Sequence, residues 1–136
     1  MALIMTQEQK DLLIKDLCAR LPYGTMVYAQ NDVDWYDSEI CTQVLSDVIN
    51  EDYIVKPYLF PMSSMSSNHI FEIKDILGED FEIDERGITD LIRGRYSSLS
   101  YLELDALFEY FNKNHFDYRD LIPMGLALDA TNLNVY

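Results

Sequence analysis

The stretch SYLELDALFEYF, residues 100–111, decides the class of this fold. Ser100 and Glu103 stand three positions apart, the spacing of a capping box, in which each side chain accepts a backbone N–H at the start of a helix. The apolar positions that follow recur at helical spacing and form one stripe: Tyr101, Leu104, Leu107, Phe108 and Phe111. The stretch therefore predicts an amphipathic helix whose apolar side packs on a sheet.

A second capped helix is predicted near the start of the chain. Thr6 and Gln9 have the same capping-box spacing, and leucines follow at helical intervals. The run ends at Pro22, Tyr23 and Gly24, because proline and glycine interrupt helices.

The segments between these helices predict a small sheet. Residues 25–29 have strand composition and end at an Asn-Asp turn. The apolar spacing of residues 40–49 also suits a helix, but their β-branched content favours a strand, and we interpret them as one. Residues 50–52 would then turn the chain into a partner strand that ends at Pro57.

The remaining signals are shorter. A helix is predicted at residues 70–77, an edge strand at 81–84, a turn at 116–122 and a last strand at 126–128. A chain of 136 residues fits one hydrophobic core. We therefore expect a single α+β domain over residues 1–136, with an N-terminal helix, a small antiparallel sheet and a C-terminal amphipathic helix packed on it.

The charge balance restricts the partners. The chain has 24 acidic and 10 basic side chains and a net charge of -14, which repels phosphate backbones and anionic lipids. Direct binding of nucleic acid or membrane is therefore disfavoured. The acidity either serves solubility or forms a surface that docks on a basic protein surface, such as one that normally binds DNA or RNA.

The first candidate binding cluster contains four acids in eight residues: Asp32, Asp34, Asp37 and Glu39. Their spacing is similar to that of a calcium loop, but an EF-hand also needs a central glycine and a glutamate at its twelfth position. Neither follows Asp32 in register. No metal ligand is assigned here, and a solvated acidic loop is the alternative interpretation.

The second candidate cluster contains five acids: Glu79, Asp80, Glu82, Asp84 and Glu85. In an extended strand, alternate residues share one face at a spacing of ~6–7 Å, close to that of successive phosphates on a nucleic-acid strand. This pattern indicates mimicry of nucleic acid. Charges on an edge strand also prevent aggregation, which is the alternative interpretation.

Catalytic motifs are not found in the sequence. His69 and His115 are the only histidines, and no glycine-rich phosphate loop, GxSxG or HExxH occurs. We expect His115 at a helix C-terminus, where its positive form suits the helix dipole. Cys18 and Cys41 lack zinc-site spacing and are expected to be buried thiols. An enzyme is disfavoured and no cofactor is expected, although a Cys-His nucleophile pair stays open at this stage.

Three segments resemble a known family. They read LCARLPYG at residues 17–24, KPYLFPMSSM at 56–65, and NHFDYRDLI at 114–122 with GLALD at 125–129. In this order they resemble short proteins without an assigned activity that phages and mobile elements of gut bacteria encode. The resemblance covers about a third of the chain and is weakest over residues 70–98. It implies an accessory protein of a mobile element in a bacterial cytoplasm, and it transfers no residue role.

The sequence contains no secretory signal and no stretch near the ~20 apolar residues that span a bilayer, which favours a cytoplasmic location. We expect a non-enzymatic protein that binds a basic surface of a host or element-encoded protein, as an inhibitor of a bacterial nucleic-acid-handling defence. The alternatives are a small metal-dependent hydrolase built on the acidic loops and a structural or assembly component.

Overall fold

Both capping boxes begin helices in the structure, a computed structural model that describes residues 5–77 and 99–136. The helices in these segments are α1 (Gln7–Arg20), α2 (Thr42–Ile49), α3 (Ser67–Leu77) and α4 (Tyr101–Lys113). Thr6 caps α1 and Ser100 caps α4, each through a complete capping box. The short helix predicted at residues 70–77 is confirmed as α3.

The strands form a small mixed sheet. They are β1 (Met26–Gln30), β2 (Trp35–Glu39), β3 (Ile54–Pro61), β4 (Phe116–Asp117) and β5 (Leu128–Asp129). Their order is β2-β1-β3-β4, and β5 also pairs with β3. β1 is antiparallel to β2 and β3, whereas β4 and β5 run parallel to β3. The α+β class is confirmed, and the predicted strands at residues 25–29 and 126–128 overlap β1 and β5.

The strand predicted at residues 40–49 is wrong. This segment forms α2, which buries Val44 and Val48 against the sheet. The buried residues Val44, Asp47 and Val48 share one helix face, whereas a strand would turn the adjacent residues 47 and 48 to opposite sides, and this spacing outweighed β-branched propensity. The predicted hairpin between residues 40–49 and the strand that ends at Pro57 is therefore also wrong. The hairpin is formed by β1 and β2, and the residues of β2 alternate between exposed and half-buried. The prediction missed β2 because its composition is polar and acidic.

The core consists of connected clusters on either side of β3. Leu13 and Leu17 of α1, with Val44 of α2, pack on the inner face of the β1–β3 sheet. On α4, Leu107 and Phe111 are completely buried against α3, β4 and the end of β3. The start of the predicted apolar stripe does not pack, since Tyr101 is 89% exposed.

A buried ionic network joins α1 to the segment after α4. Asp16 and Arg20 are both fully buried, and Arg20 Nε donates to Asp16 Oδ2 at 2.8 Å. Arg119 Nη1 donates to Asp16 Oδ1, also at 2.8 Å. Arg20 Nη2 donates to the carbonyl oxygen of Phe116 at 2.6 Å, whereas its buried Nη1 has no hydrogen-bond partner in the described segments. Both guanidinium groups lie over the ring of Tyr118, so charge and packing stabilise the same junction.

Asp117 organises the turn that follows β4. Its two carboxylate oxygens accept the backbone N–H groups of Leu121 and Ile122 at 2.8 and 2.9 Å. Burial raises the pKa of this carboxyl group, and these N–H bonds oppose that rise. Asp117 therefore fixes the backbone of this turn through two N–H groups.

The two cysteines are not buried as predicted. Cys18 and Cys41 are both exposed and reduced. Cys18 directly follows the buried Leu17 on α1, and the 100° step of a helix turns its side chain outward. The edge strand predicted at residues 81–84 lies outside the described residues. No helix in the described segments has the length and apolar character that crossing a membrane requires.

Candidate protein-binding surface

The side of the β1–β2 hairpin that faces away from α1 and α2 is the candidate surface. Val27 and Ala29 of β1 point into the core, so the alternate residues lie on the opposite face. We call these alternate residues of the two strands the outer sheet face: Met26, Tyr28, Gln30, Trp35, Asp37 and Glu39. The register sets Tyr28 directly opposite Asp37 and Met26 opposite Glu39.

The outer sheet face combines an aromatic pair with two acids. Trp35, the only tryptophan of the chain, is 62% exposed. Its ring stacks on Tyr28 with centroids 6.0 Å apart and planes inclined by 25°. Asp37 and Glu39 follow at alternate positions of β2, which is the edge strand of the sheet, and both are exposed. Exposed tryptophan beside charge is typical of binding surfaces.

The other two acids of the first cluster lie in the turn of this hairpin. The side chain of Asn31 accepts the backbone N–H groups of Val33 and Asp34 at 2.9 and 2.8 Å, which fixes the turn. Asp32 and Asp34 are exposed there. All four acids of the predicted cluster therefore lie on one hairpin, although only Asp37 and Glu39 belong to the outer sheet face.

Tyrosine hydroxyl groups orient two of these carboxylates. Tyr58 Oη donates to Asp37 Oδ1 at 2.8 Å, and Tyr53 Oη donates to Asp34 Oδ1 at 3.0 Å. Burial and the bond to Asp37 raise the pKa of Tyr58 to about 12, and the bond to Asp34 is the main cause that raises the pKa of Tyr53. Both phenols therefore remain protonated donors at neutral pH.

A phenol orients a carboxylate without cancelling its charge. An arginine or lysine in the same place would supply a positive charge, whereas a tyrosine hydroxyl supplies only a dipole. The ion pairs within residues 5–77 and 99–136 join Lys10 to Glu51, and Asp16 to Arg20 and Arg119, so none includes Asp34 or Asp37. Among the described residues, the hydrogen-bond donors that orient these two acids are therefore neutral phenols and not cations.

The sequence around the hairpin concentrates the same charge. Between Arg20 and Lys56 the chain has seven acidic residues and no lysine or arginine. Lys56 itself lies opposite Tyr28 on β3, so β1 separates it from the acids of β2. Among the described strands, the edge strand β2 has the most acidic residues.

The sequence analysis found the acids but missed their partners. Tyr53 and Tyr58 lie 19 and 21 residues from the carboxylates that they contact, a separation that no local pattern encodes. Two further tyrosines have the same role elsewhere, because Tyr36 donates to Asp47 at 2.6 Å and Tyr110 donates to Glu72 at 2.8 Å. The ten tyrosines of this acidic chain were the available signal.

The other predicted sites are the second acidic cluster, a metal site and a Cys-His pair. Glu79, Asp80, Glu82, Asp84 and Glu85 all lie outside the described residues. Within the described segments, no three His, Cys, Asp or Glu side chains converge as metal ligands would. Neither exposed cysteine forms a hydrogen bond with a histidine there. The geometry of this part of the chain thus offers neither a carboxylate metal centre nor a Cys-His pair.

Comparison of the chain with protein-family models, curated proteins and solved structures finds no match. No residue role can therefore be taken from a relative. The candidate surface depends on its own geometry, which is an exposed acidic edge strand with one tryptophan and carboxylates oriented by tyrosines.

Proposed function

We propose that this chain is a non-enzymatic binding protein whose β1–β2 hairpin engages a basic protein surface. The observation that favours this function is the bond from Tyr58 to Asp37, which fixes a carboxylate of the edge strand through a neutral donor. Orienting an acid before binding reduces the side-chain entropy that is lost when a partner docks.

The charge of the hairpin sets the expected character of binding. Opposite charges across an interface accelerate encounter and select the partner, and salt screens them. Trp35 adds a large apolar contact at the centre of the acids, which is the residue type most often found at binding hot spots. Binding should therefore weaken at high salt and depend on both the carboxylates and the indole ring.

The partner that we propose is a protein that normally binds nucleic acid. Asp37 and Glu39 are alternate residues of one strand, so their Cα atoms stand ~6–7 Å apart, similar to successive phosphates. The resemblance to proteins of phages and mobile elements is consistent with a role against a host. We therefore propose an inhibitor of a bacterial nucleic-acid-handling defence, which acts in the cytoplasm by acidic surface mimicry.

The test combines affinity capture with matched charge variants. The immobilised chain is exposed to lysate of a host bacterium at low salt and at ~0.5 M salt, and bound proteins are identified by mass spectrometry. The double variant Asp37→Asn, Glu39→Gln removes two charges from the hairpin. The control Asp75→Asn, Asp105→Asn removes two charges from exposed positions on α3 and α4.

The expected result is a basic nucleic-acid-binding protein that elutes at high salt, fails to bind the hairpin variant and still binds the control. If the two variants capture the protein to the same extent, the position of the acids on the hairpin does not matter. Total charge would then recruit the protein. A defined homo-oligomer in light scattering, without any captured partner, would replace this function by the assembly component that the sequence left open.

A further inference from the structure

A cavity of about 510 Å³ lies at the opposite end of the sheet from the β1–β2 hairpin. Phe60 of β3 and Phe116 of β4 provide aromatic walls, and Lys113 and Asn114 lie at the end of α4. Both histidines of the chain, His69 and His115, also line it. This volume lies within the 300–1,000 Å³ that small-molecule sites typically occupy.

Hydrogen bonds define the state of the His69 ring. The backbone N–H of Ser66 donates to His69 Nδ1 at 3.0 Å. A nitrogen that accepts a hydrogen bond has no proton of its own, so the neutral ring has its proton on Nε2. The ring also meets Phe116 edge to face, with centroids 4.9 Å apart. His69 is thus a positioned ring with one N–H donor that the Ser66 bond leaves available.

His115 is not the cationic helix-end residue that the sequence indicated. It lies beyond the end of α4 with φ of 63°, and its ring stacks on Tyr136 at 3.8 Å. Its Nδ1 lies 3.0 Å from Thr25 Oγ1. Burial, with the charge of Arg20, lowers the pKa of His115 to about 4, so the ring is neutral at neutral pH. The neutral ring of His115 and the positioned ring of His69 therefore both line the cavity.

Lys113 provides the charge of the described cavity wall. Its side chain is exposed, and none of the described lining residues is acidic, although the whole chain has a net charge of -14. The end of α4 would ordinarily attract cations through its free carbonyl groups. Here Asn114 donates to the carbonyl oxygen of Tyr110, and the His115 N–H donates to that of Asn112. The described lining therefore has one cationic side chain, no carboxylate and two helix-end carbonyl groups that are already hydrogen-bonded.

We propose that this cavity binds a small planar ring compound that has one carboxylate or phosphate group. The ring would pack among the phenylalanine and imidazole rings, the anionic group would pair with Lys113, and Asn114 and the His69 N–H would hydrogen-bond the polar edge. This site is separate from the acidic hairpin, because none of its described lining residues belongs to β1 or β2.

The two histidines allow a direct test by nuclear magnetic resonance. Imidazole nitrogen signals of the full chain are followed while adenosine 5′-monophosphate, 4-hydroxybenzoate or neutral adenosine is added. We expect saturable shifts of both histidines with at least one anion, and about tenfold weaker binding of adenosine. The phosphate and carboxylate probes distinguish the two forms of the anionic group.

Charge variants give the matched controls. Lys113→Gln should weaken binding of the anion about tenfold, whereas Lys15→Gln, at an exposed position of α1, should leave it unchanged. The hairpin variant Asp37→Asn, Glu39→Gln should also bind the probe normally. Equal affinity for adenosine, or wild-type affinity in Lys113→Gln, would overturn the anionic assignment. No saturable shift with either anion up to about 10 mM, tenfold above a weak 1 mM dissociation constant, would overturn the site.

Discussion

The Tyr58 hydroxyl group donates a 2.8 Å hydrogen bond to Asp37 across strand β1, which separates β3 from β2. One side chain thus ties the edge strand to the third strand of the sheet and orients an exposed carboxylate. Asp34 has an equivalent bond from Tyr53. Together the two phenols make the acidic hairpin a defined surface instead of a loose set of charges.

Replacing Tyr58 by phenylalanine should therefore loosen the hairpin without changing its net charge. We expect the free energy of unfolding to fall by about 1 kcal/mol, since Asp37 is exposed and water can replace the phenol. Urea denaturation measures this change. Tyr101→Phe is the matched control because that side chain is 89% exposed, and an equal loss in both variants would contradict the prediction.

The ionic network around Asp16 should matter far more to stability. Asp16→Asn removes the only negative charge that Arg20 and Arg119 share in the described ion pairs, and Arg20 is completely buried. Leaving a buried charge without its partner typically costs about 3–5 kcal/mol. Glu51→Gln breaks the more exposed pair with Lys10 and should cost under about 1 kcal/mol. Similar losses in the two variants, measured by urea denaturation, would refute a structural role for the network.

Lowering the pH should also reduce the free energy of unfolding, because His115 takes up a proton more readily in the unfolded chain than in the folded protein. Its pKa falls from 6.5 in the unfolded chain to about 4 in the folded protein. Below about pH 6.5 the unfolded state therefore binds a proton that the folded state does not, and the free energy of unfolding falls until about pH 4. Above about pH 6.5 the ring is neutral in both states, so His115 does not change the free energy of unfolding with pH.

The measurement is urea denaturation at about pH 7 and about pH 5, with His115→Asn for comparison. Asparagine tolerates the positive φ of this position and does not titrate. Because the ring is partly exposed, solvent screening reduces the expected contribution to about 1–2 kcal/mol. Between these two pH values the free energy of unfolding of the wild-type protein should fall by that much more than that of the variant. Equal losses would mean that the folded protein tolerates a charged His115.

Local signals predicted the elements that local chemistry determines. Each capping box needs only a residue and its neighbour three positions later, and both boxes formed as expected at Thr6 and Ser100. Helix α2 was missed because its eight residues give opposite signals, and tertiary burial of Val44 and Val48 settled the conflict. Strand β2 was missed because its outward residues are acidic or aromatic.

The two candidate sites differ in what the sequence could reveal. The acids of the hairpin are close in sequence, so their cluster was visible, whereas Tyr53 and Tyr58 join it only through the fold. The cavity combines residues near positions 60, 69, 115 and 131, which no pattern along the chain connects. The same non-local packing made His115 neutral, against the expectation from its place after a helix.

Replacing Trp35 by alanine should reduce the affinity for the partner more than it reduces the free energy of unfolding. Its ring is 62% exposed and contacts Tyr28, so Trp35→Ala should lower the free energy of unfolding by only about 0.5–1.5 kcal/mol. An anchoring tryptophan at an interface typically contributes more than 2 kcal/mol to binding, which is roughly a thirtyfold loss of affinity. Binding of the captured partner to Trp35→Ala, measured by calorimetry, should show that loss. Leu133→Ala, at another exposed apolar position, is the control. Unchanged affinity in Trp35→Ala would exclude the indole ring as an anchor of the interface, even if Asp37 and Glu39 proved necessary.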